Sequence, residues 1–138
     1  MTRLFFSLLI VSFLCFCATG CSNGTRVSGK VTFDDGSPLT VGTVVFETEI
    51  LQFTGDIQKD GTYRMSADGG KSGIPNGSYK VAIANAFEGT GEFVEIARDT
   101  LQETMRPLVN AKFQQTSLSD LTCEVNGATT FDITVTRP

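Results

Sequence analysis

The chain has 138 residues, a length that fits one ordinary domain with a single core. It carries a formal net charge of −4 and contains no histidine, and its basic residues between Arg26 and Arg137 are scattered singly. No basic surface is therefore available to neutralise phosphates. The composition argues against nucleic acid as a partner and against electrostatic attachment to a membrane.

The N-terminus has the pattern of an export signal. Residues 4–17 form an almost unbroken apolar run that follows the single basic side chain of Arg3. This run is shorter than the ~20 residues that a membrane-spanning helix needs. Its length is typical of the hydrophobic region of a signal peptide, and small residues suited to cleavage follow it. We predict that residues 1–20 are a signal peptide.

The small residues 18–20 (ATG) lead directly into Cys21. This arrangement resembles the lipobox of bacterial lipoproteins, and the resemblance implies that Cys21 is acylated, with groups such as palmitate, and becomes the new N-terminus. Ala18 stands where such motifs usually have leucine, so ordinary signal-peptidase cleavage after Gly20 is the alternative. The expected location is the cell envelope, on the periplasmic face of the outer membrane or on the cell surface, with the lipid as the membrane contact.

The remaining cysteines do not indicate a disulfide framework or a zinc site. Cys15 and Cys17 leave with the signal peptide and Cys21 carries lipid, so the mature chain keeps Cys123 as its thiol. A structural zinc ion needs four cysteine or histidine ligands. In the segment LTCEV, apolar and polar residues alternate, and Cys123 is predicted to face a core as a small hydrophobic residue.

After a short polar tether at residues 21–25, we predict one domain over residues 26–138. Short segments rich in β-branched and aromatic residues are separated by turns of Gly, Pro, Asn and Asp, and no segment keeps a helical period. The predicted strands are RVSGKVTF, VGTVVFETE, LQFTGDI, TYRMS, GSYKVAIAN, GEFVEIARD and TTFDITVTR. This pattern predicts an all-β fold, a single antiparallel β-sandwich of about seven strands.

Alternation within these strands predicts which side chains face the core. Lys80 and Ala82 are predicted to point outward. The residues predicted to point inward are Val27, Gly29, Val31, Phe33, Tyr79, Val81, Ile83, Phe131, Ile133 and Val135.

Two turns have a recognisable residue pattern. Residues 59–61 (KDG) predict a hairpin turn and residues 75–77 (PNG) a second turn, with Gly61 and Gly77 at positions that need positive φ. Tyr63 and Tyr79 follow these turns in strand alternation, and packing in a core is the favoured interpretation over a ligand platform.

Three segments together carry a family resemblance: VSGKVTFDDGSPLTVGTVVF, GDIQKDGTYRM and GIPNGSYKVAI. Their order and spacing over residues 27–84 resemble the carboxypeptidase regulatory-domain-like, transthyretin-like β-sandwich family. The resemblance implies a Greek-key sandwich that is non-catalytic when attached to carboxypeptidases. The tail, residues 111–135, is similar to the C-terminal part of small bacterial envelope lipoproteins that carry this domain.

Three groups of acidic residues in the sequence have the residue types that serve as metal ligands or as carboxylate pairs. The loop from Asp56 to Asp60 fails as an EF-hand, because glutamine occupies its third position and alanine its twelfth. Asp34 and Asp35 are interpreted as solvated turn residues, and no metal or cofactor is predicted. The acidic group Glu88, Glu92, Glu95 and Asp99 is predicted to lie in a solvated, mobile loop.

The absence of histidine argues against catalysis. It removes Ser-His-Asp and Cys-His arrangements and the side chain that titrates near neutrality. Enzymes with transthyretin-like folds include hydroxyisourate hydrolases and ring-cleaving dioxygenases. The resemblance implies that the active sites of both kinds of enzyme contain histidine. We therefore expect a non-catalytic, lipid-anchored interaction or structural module whose partner is another envelope protein or a glycan. A carbohydrate-binding module and an enzyme without histidine chemistry are the alternatives.

Overall fold

The structure is a computed structural model that describes residues 24–69 and 72–138. The predicted signal peptide and Cys21 lie outside the described residues. In the described part, a short 3-10 helix at Ala111–Phe113 accompanies ten strands: β1 (Val27–Phe33), β2 (Thr43–Glu47), β3 (Gln52–Asp56), β4 (Thr62–Arg64), β5 (Gly77–Ala84), β6 (Phe87–Ala97), β7 (Thr100–Pro107), β8 (Thr122–Val125), β9 (Thr129–Thr130) and β10 (Ile133–Val135).

Two four-stranded sheets form a β-sandwich, which confirms the predicted all-β sandwich class. In the first sheet β1 is central, with β4 antiparallel along one edge and β9 and β10 along the other. The second sheet has the order β3-β2-β5-β8, and all its neighbours are antiparallel. A third, two-stranded sheet consists of β6 and β7.

The closing strand differs from the antiparallel pairing that was expected. β10 runs parallel to β1, with Val31 opposite Ile133 and Phe33 opposite Val135, and β9 is also parallel to β1. The chain reaches this position by a long connection, which parallel pairing requires. The single strand predicted for the tail is divided into β9 and β10, and this division contributes to the higher strand number.

The turn at residues 59–61 forms, but it does not make a hairpin. Gly61 has φ of 84°, as predicted, and its N–H donates to the carbonyl of Gln58 at 2.8 Å. The strands that it connects, β3 and β4, lie in different sheets, and an isolated bridge joins Thr54 of β3 to Ser66, which lies beyond the end of β4. The turn therefore carries the chain from one sheet to the other.

The core fills the space between the two large sheets. Most residues that alternation places inward are buried, and a tilted contact between Phe46 and Tyr79, with ring centroids 5.6 Å apart, lies among them. Phe131 is half-buried at the margin. The fully or nearly fully buried members predicted from the sequence are Val27, Val31, Phe33, Tyr79, Val81, Ile83, Cys123, Ile133 and Val135.

Ala82 corrects the predicted pattern, because it is 2% exposed and not solvated. It points away from the inter-sheet core, opposite Val45 of the neighbouring strand, which is also buried. Alternation predicts the face on which a side chain lies, but whether that face meets solvent depends on what covers it. The outer face of the second sheet is thus apolar and covered at its centre.

Candidate interaction surface

The β6–β7 hairpin is the element of the described chain that is not part of the sandwich. β6 and β7 pair with each other and pack extensively on no other described element. Arg98 and Asp99 form the turn, where Asp99 has φ of 63°. The base is tied to the body where the Leu108 N–H donates to the carbonyl of Ala86 at 2.8 Å.

One face of this hairpin is apolar although it is exposed to solvent. The register places Met105 opposite Gly89 and Glu103 opposite Phe93, and residues two apart in a strand share a face. Phe93, Leu101 and Met105 are 61%, 66% and 56% exposed. We define the apolar face of the hairpin as Phe87, Phe93, Leu101 and Met105.

The opposite face carries both polar and apolar groups. Near the base, Glu88 and Arg106 are cross-strand partners and form an ion pair. Farther along, Thr90 and Thr104 share a hydrogen bond between their hydroxyls. Val94 lies on this face at 47% exposure, so the outer half of the hairpin exposes apolar side chains on both sides.

An irregular pairing between Gly89 and Phe93 shapes the middle of the hairpin. The Glu103 carboxylate lies over Gly89, where an added Cβ would come 2.3 Å from it, and it accepts from the Gly91 N–H at 2.9 Å. Glycine at position 89 leaves room for the carboxylate, and Gly91 has the positive φ of 77° that glycine readily adopts. The hairpin is therefore built with a defined bulge.

The prediction that the acidic group at residues 88–99 lies in a loop is wrong. Glu88, Glu92 and Glu95 lie within β6, and Asp99 occupies the turn. The sequence predicted part of β6 from the segment GEFVEIARD, but it gave no prediction for β7. The alternation of apolar residues with carboxylates in both strands is the signal that could have identified the pair.

The other residues considered as sites have structural surroundings. Tyr63 donates its hydroxyl to the Phe131 carbonyl at 2.5 Å and Tyr79 to the Pro75 carbonyl at 2.7 Å. Both rings are 3% exposed, and burial raises the pKa of each phenol. Their predicted role in core packing is confirmed.

Cys123 lies on β8 and its side chain is buried, as the alternation predicted. Burial raises the pKa of its thiol, and the neighbouring Glu124 carboxylate raises it further. A raised pKa lowers the thiolate fraction, and the thiolate is the nucleophilic form. This environment is that of an inert structural cysteine.

Within residues 24–69 and 72–138, no cluster of three or more histidine, cysteine or acidic residues could hold a metal ion. Asp60 accepts from the backbone N–H and the hydroxyl of Thr62 at 3.0 and 2.6 Å, and these bonds lower the pKa of its carboxyl group. This carboxylate stabilises the turn. The described part of the chain has no helix long and apolar enough to cross a membrane.

Comparisons with known proteins find similarity among solved structures. No family model matches the sequence, and no curated protein sequence matches it. A crystal structure of a DUF3823 family protein from Bacteroides ovatus ATCC 8483 is similar, with 19% sequence identity and a TM-score of 0.45. The match covers 83% of this chain and 45% of that one, so this chain spans less than half the length of that protein.

Proposed function

We propose that this protein is a non-catalytic, lipid-anchored module of the cell envelope that binds another envelope protein through its β6–β7 hairpin. The observation that carries the proposal is the apolar face of the hairpin, which is exposed on an element that packs extensively only on itself. An isolated two-stranded hairpin is marginally stable in water, and contiguous exposed apolar patches mark interaction sites. A partner would cover this face and stabilise the hairpin.

Exposed apolar residues elsewhere do not build a comparable surface. Val41, Ile50, Leu51 and Leu118 are exposed on the body. They lie outside the strands, in turns and connections, and scattered apolar side chains are ordinary on protein surfaces. The hairpin differs because four of its exposed apolar residues, those of the apolar face, lie together on one side of a regular element.

The non-catalytic part of the proposal rests on side-chain chemistry. The chain has no histidine, and Cys123 and the two tyrosines, which belong to residue types that act as nucleophiles or bases in some enzymes, are buried with raised pKa values. Burial disfavours the deprotonated, reactive form of each of these three groups. This chemistry supports a binding role more than a catalytic one.

The envelope location rests on the N-terminal sequence. The apolar run at residues 4–17 and the small residues before Cys21 favour export followed by acylation. One acyl chain gives marginal membrane binding, whereas several chains hold a protein firmly. Anchoring would keep the hairpin near the membrane and raise its effective concentration toward other envelope proteins.

The test is photo-crosslinking in intact cells from two positions of the apolar face. A photoreactive amino acid replaces Phe93 in one variant and Leu101 in another, and Ile50, which is exposed in the turn between β2 and β3, is the matched control position. We expect one discrete protein adduct from both hairpin positions and not from position 50. Adducts of the same protein from all three positions, or no protein adduct from the hairpin, would contradict the proposal.

A further inference from the structure

Carboxylates interrupt the apolar face of the hairpin in a regular way. In two cross-strand pairs of the outer half that lie on the apolar face, Phe93 is opposite Glu103 and Leu101 is opposite Glu95. Each pair therefore joins one apolar and one acidic side chain, and the two kinds alternate along each strand. A surface that covers Phe93 and Leu101 must also accommodate the two carboxylates.

Charge disfavours a second copy of this chain as the occupant. Two apolar faces packed on each other would bring the carboxylates of both copies into one interface. Like charges that are drawn together and desolvated oppose such packing. The same argument disfavours a lipid bilayer, because inserting this face would carry Glu95 and Glu103 into hydrocarbon.

The hairpin also offers backbone hydrogen-bonding groups. In the described chain each of its strands pairs on one side only, so β6 and β7 both have a free edge. A free edge is the template for addition of an extended segment, in which the main chain gives affinity and alternate side chains give specificity. A strand added to β6 would place its side chains beside Phe93 and Glu95 on one face.

We infer that the partner contributes a β-strand that adds to the free edge of β6, and that on one face of this strand, at every second position, apolar residues alternate with lysine or arginine. This inference rests on the proposed function and deepens it by naming the chemistry of the partner. The apolar side chains of the strand cover Phe93, and its cations pair with Glu95. Glu95 is exposed, whereas Glu103 is half-buried and already accepts from Gly91, so Glu95 is the main charge contact.

The probe is a fluorescent eight-residue peptide with the repeat Val-Thr-Lys-Thr, which places valine and lysine on the same face, compared with the same peptide in which glutamate replaces lysine. Anisotropy is measured with the full chain in mild detergent. We expect the lysine peptide to bind at least about tenfold more tightly than the glutamate peptide at low salt, and the difference to shrink as salt rises. Equal binding of the two peptides would overturn the inference.

A matched pair of substitutions locates the contact. Glu95→Gln and Glu49→Gln each remove one exposed carboxylate, the first from β6 and the second from the turn between β2 and β3. Glu95→Gln is expected to weaken binding of the lysine peptide by about threefold, as for a solvent-exposed ion pair. Glu49→Gln is expected to leave the affinity unchanged, and an equal loss in both variants would contradict the inferred site.

The cellular crosslinks separate this inference from the proposed function. If the adduct from position 93 maps to a strand of another protein that carries both apolar and basic residues on one face, the proposed function and this inference both stand. If it maps to an acidic or uncharged segment of another protein, the proposed function stands and this inference fails. If the adduct is a second copy of this chain or lipid alone, both fail.

Discussion

Asp35 receives three hydrogen bonds in the turn that follows β1. Ser37 donates its backbone N–H at 2.9 Å and its hydroxyl at 2.5 Å, and Arg137 donates from Nη1 at 2.9 Å. The Ser37 hydroxyl, then the Ser37 N–H and, less strongly, Arg137 hold the pKa of Asp35 at about 2. The Arg137 guanidinium carbon also lies over the Phe33 ring, 3.9 Å from its centroid. Arg137 therefore connects the segment after β10 to β1 and to the turn that follows it.

The lowered pKa fixes the direction of a pH effect. Because the folded value lies below the ordinary 3.8, the bonds to Asp35 stabilise the fold above that pH and are lost as the pH falls through about 2. We expect Ser37→Ala to raise the pKa of Asp35 more than Arg137→Ala does. Titration of the side-chain carboxyl carbon by NMR measures both shifts, and an unchanged pKa in Ser37→Ala would contradict the assignment.

Cys123 should react slowly in the folded protein. The side chain is 4% exposed and the pKa of its thiol is raised by burial. A polar aromatic disulfide reagent at pH 8 is expected to label it at least about tenfold more slowly than it labels the protein in denaturant. Ile50→Cys in a Cys123→Ser background gives the exposed control. Equal labelling rates at positions 123 and 50 would show that the thiol is accessible.

At the scale of elements, the sequence predicted the strands of the sandwich well and their partners poorly. Alternation located β1, β5 and the tail, because each buries one face in the core. It did not reveal that β3 and β4 lie in different sheets or that β10 is parallel to β1. Pairing depends on which distant strands meet, and no local pattern encodes that.

The hairpin was harder to predict for a related physical reason. Apolar positions that recur along a strand predict a face turned toward a core, whereas the apolar positions of β6 and β7 face solvent. Glu88, Glu92 and Glu95 therefore indicated a solvated loop, although they lie in a strand. Where function needs an exposed apolar surface, local rules that describe folding fail.

Gly29 shows how close the elements of the first sheet approach one another. A Cβ at this position would come 1.9 Å from the carbonyl oxygen of Phe131, which also accepts from the hydroxyl of Tyr63. The Phe131 carbonyl is held between Gly29 and the Tyr63 hydroxyl, so it has no room to move away from a methyl group. Gly29→Ala is therefore expected to lower the free energy of unfolding by about 2–3 kcal/mol. Urea unfolding measures it. Ser28→Ala on the same strand is the control and should cost less than about 1 kcal/mol; equal losses would contradict the steric argument.

At the scale of the whole molecule, a well-packed sandwich carries a hairpin that the sandwich does not cover. The buried side chains belong to the sandwich and its connections, whereas the residues of β6 and β7 are exposed or half-buried. Carboxylates Glu88, Glu92, Glu95, Asp99 and Glu103 outnumber Arg98 and Arg106 in the hairpin. An acidic hairpin is repelled by anionic lipid headgroups, so the membrane attachment that we propose would depend on another part of the chain.

Cys21 is the residue that we predict to attach the chain to the membrane. If acyl chains on Cys21 supply the membrane affinity, the wild-type protein separates into the detergent-rich phase of a phase-partitioning experiment, and Cys21→Ser moves to the aqueous phase. Cys123→Ser is the matched control and should stay with detergent, because that thiol is buried in the sandwich. A wild-type protein found in the aqueous phase would instead favour ordinary cleavage after Gly20 and a freely diffusing module. In that case the hairpin would have to find its partner without the local concentration that a membrane anchor provides.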